Sequence, residues 1–159
     1  MRTLLLLPVL AGCGPDPACE AVADVSPSVQ LGSGIDTFVP VDGTVEVSRG
    51  FQGGIHVWGA LRTTGLAQDP SRRTRLPLVT LVLLEDGAAI GGFSRVAMAL
   101  QPVGEGVLEG LALQAVFDAT DPADVVGHTV TLHADVLDFC RTPAEAEATV
   151  EIIDADTGF

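Results

Sequence analysis

Apolar and polar residues alternate with a period of two along most of the chain beyond residue 30. The pattern is clearest near the end, where Val130, Leu132, Ala134 and Val136 fall on one face and Thr131, His133 and Asp135 on the other, as in a strand with one buried side. Similar short runs, rich in β-branched residues, predict strands over 35–41, 44–48, 54–63, 76–84, 88–100, 106–117, 128–137 and 146–153. Residues 78–84 are nearly all apolar and predict a strand covered on both faces. Asp42-Gly43, Asp86-Gly87 and Gly104-Glu105-Gly106 suit hairpin turns that need a positive φ. Asp121-Pro122 offers an N-cap and a first-turn proline for about one helical turn before Gly127, a device for crossing between sheets. The stretches 27–34 and 64–77 read as the two longer loops. No helix of ordinary length is predicted. The expectation is an all-β fold, an antiparallel β-sandwich of about 7–8 strands.

Composition narrows the function classes. The chain has 159 residues, 47% of them hydrophobic, with 8 Lys+Arg against 21 Asp+Glu and a formal net charge of -13. A mean hydropathy of +0.42 excludes intrinsic disorder. A pI near 4.3 excludes nucleic acid as a partner, since no basic surface exists to displace counterions from phosphates.

The first residues carry the most specific motif. Arg2 precedes a short apolar run, Leu4 to Leu10, which ends in Ala11-Gly12-Cys13. That order of charged, apolar and small-residue regions is the layout of a secretory signal, too short to span a bilayer as a mature helix. Leu10-Ala11-Gly12-Cys13 resembles the lipobox of bacterial lipoproteins. The resemblance implies a signal peptide over 1–12, lipidation of Cys13, and a membrane partner reached through acyl chains, with 13–30 as anchor and extension and 31–159 as the domain. Gly14, where an aspartate favours inner-membrane retention in lipoproteins, implies the outer membrane of a Gram-negative envelope. Acylation of Cys13 would leave Cys19 and Cys140 as an even pair in an oxidising compartment, a disulfide that would pin the N-terminal segment to the last hairpin.

A second resemblance concerns the fold. Residues 127–138 followed by 146–153 resemble the last two strands of bacterial immunoglobulin-like domains, and Trp58 lies mid-strand where that fold keeps its packing tryptophan. The tyrosine of that fold is missing, because the chain has no Tyr. Gly53-Gly54-Ile55-His56-Val57-Trp58 is also similar to a stretch of uncharacterised lipoproteins from high-GC Gram-negative bacteria.

Catalytic motifs are sparse. No nucleophile elbow, zinc-protease helix or phosphate loop occurs, and no cofactor is implied. His128 or His133 with Asp135 forms a weak metal or acid–base candidate, set against a shared solvent face on one strand. Asp118, Asp121, Asp124 and Asp138 fall near strand ends, where a sandwich can gather them into a calcium site. Glu105 and Glu109 form the acidic pair a hydrolase would need. For binding, the candidates are His56 and Trp58 on one face of a strand, and the basic cluster Arg72, Arg73 and Arg75 in a long loop. The expected function is a lipid-anchored, non-catalytic envelope module that binds a protein or glycan. The alternatives are a calcium-stabilised adhesion module and a hydrolase whose site is scattered in sequence.

Overall fold

The structure, a computed structural model, describes Gly14, residues 16–50 and residues 53–155. The stretch read as signal peptide, and Cys13 with it, lies outside the described residues. One helical turn, α1 (Pro17–Glu20), is capped by Asp16, whose side chain accepts from the Ala18 amide. Ten strands follow among the described residues, more than the 7–8 expected: β1 (Ser28–Ser33), β2 (Val39–Pro40), β3 (Thr44–Arg49), β4 (Ile55–Thr64), β5 (Leu78–Glu85), β6 (Ala88–Ala97), β7 (Gln101–Gly104), β8 (Val107–Val116), β9 (Thr129–Leu137) and β10 (Pro143–Asp154). Among the described residues no helix is long and apolar enough to cross a membrane.

The strands pack as two layers. In one, β1 pairs with β4, β4 with β8, and β8 with β7, all antiparallel. In the other, β6 pairs with β5, β5 with β9, and β9 with β10. With β3 running parallel to β10, this is the ABED and CFG pairing of an immunoglobulin-like sandwich. The core is aliphatic: Ile55, Val57 and Leu61 of β4 meet Val79, Leu81 and Leu83 of β5 and the alternating Val130, Leu132, Ala134 and Val136 of β9. Strand β5 buries only alternate residues and leaves Leu78, Thr80, Val82 and Leu84 half-buried, so the expectation of a strand covered on both faces is corrected.

Both seams between the layers are bridged at the end where β4 begins. On one side β3 pairs with β10 through residues 44–47 and with β4 through residues 47–49. On the other, Gly91 of β6 bridges to Phe117, and the Asp118 amide donates to the Ile90 carbonyl at 3.0 Å. A side chain at Gly91 would lie 2.8 Å from the Val116 carbonyl oxygen, so the approach requires glycine there.

The chain between residues 27 and 44 departs from expectation. Residues 27–34, read as a loop, contain β1, because Val29 and Leu31 alternate inward beside β4. Residues 35–41, read as a strand, are mostly loop, with only the two residues of β2 at its end. Strand β1 therefore begins within residues 13–30, the stretch read as anchor and extension. The single reading over 88–100 divides into β6 and a separate approach to β7. At Asp121 the expected cap forms: its carboxylate accepts from the Ala123 amide, and a short 3-10 turn (Pro122–Asp124) carries the chain between layers.

The opposite end is closed by covalent and ionic ties. Cys19 and Cys140 form a disulfide across 121 residues, with Cα atoms 5.8 Å apart. Arg75 donates to Asp16 at 2.6 Å and lies over the Phe139 ring. The carboxylate of Asp138 is buried and accepts from the backbone amides of Ala67 at 2.9 Å and Thr142 at 2.8 Å. Gln68 bonds both the amide and the carbonyl of Leu100. The loop 65–77 is thus tied to its surroundings along most of its length.

Candidate functional site

The outward face of β4 borders a concavity through Trp58. Period-two alternation sends Ile55 and Val57 into the core and turns His56 and Trp58 outward, so Trp58 is not the core tryptophan of an immunoglobulin domain. After β1 the chain does not continue straight to β3. It loops outward through residues 34–38, where the Gly34 carbonyl accepts from the Ala112 amide and Phe38 stacks 4.3 Å from the Arg62 guanidinium. Between that loop, β2 and β3 lies a cleft of about 530 Å³ with Trp58 in its wall. Asp36, Asp42 and Glu46 line it, together with the exposed aliphatic side chains of Ile35 and Val39. No histidine, cysteine, lysine or arginine is among the described residues that line it. Its polar lining is made of carboxylates and the hydroxyl residues Ser33, Thr37, Thr44 and Ser48 beside an aromatic and aliphatic wall.

Behind the tryptophan, His56 is buried to 6% exposure and meets the Trp58 ring edge-on, with centroids 4.8 Å apart. Its Nε2 finds no partner among the described residues, and burial holds its pKa below the ordinary imidazole value of 6.5. A packed, neutral histidine is the result. It braces Trp58 rather than lining the cleft.

The remaining candidates are dispersed. Asp118 and Asp124 line a smaller hollow of about 230 Å³, Asp121 caps its turn, and Asp138 sits at the other end of the sandwich. Among the described residues no three His, Cys, Asp or Glu side chains are grouped to hold a metal ion. The four aspartates, weak calcium candidates in the sequence, do not share one end of the sandwich: strand β9 separates Asp138 from the others. His133 contacts Glu147 across the β9–β10 pair at 3.0 Å, not Asp135, because Asp135 is two residues away on the same strand. His128 lies 2.8 Å from Glu85, although the pair is not aligned for a hydrogen bond. Glu105 stands in the turn before β8, whereas Glu109 is buried and held by Arg62 at 2.6 Å, so the two do not form a hydrolytic pair. Of the basic cluster, Arg75 is spent on Asp16 and Asp69, Arg72 lies 3.9 Å from Asp69, and Arg73 is exposed.

Three features escaped the sequence reading: the Arg62–Glu109 pair, the role of Asp138, and the carboxylates around Trp58. The first had a signal, opposite charges on two strands, but their register was needed to see it. Comparisons with family models, curated proteins and solved structures found nothing that matches this chain.

Proposed function

We propose that this chain is a lipid-anchored protein of a Gram-negative cell envelope whose immunoglobulin-like domain acts as a non-catalytic binding module. The observation that carries the binding role is the cleft over Trp58: an aromatic wall, exposed aliphatic side chains and carboxylates around a concavity of small-molecule size. The compartment rests on the lipobox-like Leu10-Ala11-Gly12-Cys13. A Cys19–Cys140 disulfide supports it, because such a bond persists outside the reducing cytosol. Cys19 follows Cys13 by six positions, at most about 20 Å of chain, so the disulfide-tied end would face the membrane.

Intact mass of the membrane-extracted protein, with and without reduction and alkylation, tests this reading. The expected species is Cys13–Phe159 plus acyl chains, with two cysteines alkylated only after reduction. An unprocessed chain from Met1 with three freely alkylated thiols would overturn it.

A further inference from the structure

The cleft over Trp58 has a charge that points to a class of ligand. Asp36, Asp42 and Glu46 reach it from the outward loop, the turn before β3, and β3 itself. None forms an ion pair among the described residues, whereas the nearby Arg62 is committed to Glu109. Three like charges around one concavity, in a chain of net charge -13, raise the local concentration of cations.

The kind of cation follows from where the charges stand. Among the described residues no three His, Cys, Asp or Glu side chains are grouped to hold a metal ion, and these carboxylates come from three separate segments of the cleft lining. A molecule with several ammonium groups joined by methylene segments matches that spread, where a single dication would not. The apolar wall fits the same shape: Ile35 and Val39, each 51% exposed, offer surface to methylene groups, and the indole of Trp58 attracts a cation. A volume of about 530 Å³ is that of a small-molecule site. A neutral sugar leaves the carboxylates unneutralised. We propose that this cleft binds a linear organic polyamine, an inference that rests on the binding-module reading and gives it a ligand class.

Trp58 is the chain's only tryptophan, and there is no tyrosine, so intrinsic emission reports on the cleft alone. The oxidised protein is titrated with spermidine, with Mg²⁺ at matched ionic strength and a chitooligosaccharide as comparisons. The expected result is a saturable change in emission with spermidine that weakens as salt is added. Asp42→Asn and Glu46→Gln should each weaken binding about threefold, and together about tenfold. Asp124→Asn, at the smaller hollow, should leave it unchanged. No saturable change, an equal response to Mg²⁺, or indifference to the double substitution would overturn the proposal. A response to the oligosaccharide alone would overturn the polyamine and leave the binding module standing. Silence from both ligands would remove the cleft as a site, and with it the binding reading.

Discussion

Replacing Asp138 by alanine should be among the most damaging single changes in the domain. Its two carboxylate oxygens each accept one backbone amide, from Ala67 at 2.9 Å and from Thr142 at 2.8 Å. Asp138 and Ala67 are both 3% exposed, so water does not readily replace the first bond. A hydrogen bond to a charged acceptor contributes about 1.5–3 kcal/mol, and the amide left unpaired carries its own desolvation cost. Thr142 is only half-buried and its amide can turn to solvent, which discounts the second bond. The expected loss is about 3–4 kcal/mol, a large part of the roughly 5–15 kcal/mol that holds a domain together. Urea unfolding of the oxidised protein should show the midpoint falling by about 2 M with an unchanged slope. Asp138→Asn separates hydrogen bonding from packing. Asparagine keeps one acceptor and turns an N–H toward the second amide, so it should recover less than half of the loss. A midpoint for Asp138→Asn equal to that of the wild type would refute the argument, because it would mean that the second amide needs no acceptor.

Two further outcomes follow from the same structure. Joint replacement of Cys19 and Cys140 by alanine removes a cross-link spanning 121 residues and should cost up to about 5 kcal/mol through the unfolded chain. Because α1 buries no residue, Trp58 emission of the still-folded variant should match the wild type, and a shifted emission would contradict this. His56 gives a pH dependence of known sign. Its folded pKa lies below 6.5, so the unfolded state takes up a proton first, and stability falls as pH drops through that value. His56→Phe keeps an aromatic ring against Trp58 and should flatten the fall between about pH 7 and pH 5, as measured by urea unfolding at each pH. An unchanged slope would show that the fall arises elsewhere.

Where alternation was long, it was legible. The periodicity of 129–137 placed β9 and its buried face, and Asp86-Gly87 marked its turn, with positive φ at both residues. The miss at residues 27–44 has a physical cause. Strand β1 carries only two apolar inward positions beside Gly32, while Ile35 and Val39 are apolar yet exposed, so hydrophobicity there reported a surface rather than a core. The candidate site was half-legible for the same reason. Trp58 stood out as the sole tryptophan, but Asp36, Asp42 and Glu46 become its neighbours only because β1 and β3 lie along the same edge of β4. The acidic strand-end residues misled in the opposite direction. Proximity to a strand end does not say which end of the sandwich a residue occupies, and Asp138 was already committed to backbone amides.

The position of the disulfide decides how the domain would carry tension. Pull on a residue before Cys19 and on one after Asp154, and the force does not travel through the intervening chain. It crosses the sulfur atoms to Cys140 and enters β10 three residues later. That strand is hydrogen-bonded to β9 along residues 143–151 and to β3 along residues 151–154. Both loads act on the two ends of this one strand, so tension runs along its backbone and does not set it against β9 or β3. The chain between the cysteines, a sequence separation of 121 and about 400 Å if extended, stays out of reach while the bond is intact. Stretching would straighten only a short tail and this one strand, and the pocket wall at Trp58 would lie off the line of force. Reduction would return the whole chain to that line, which makes the thiol state of two residues the setting for the domain's mechanical length.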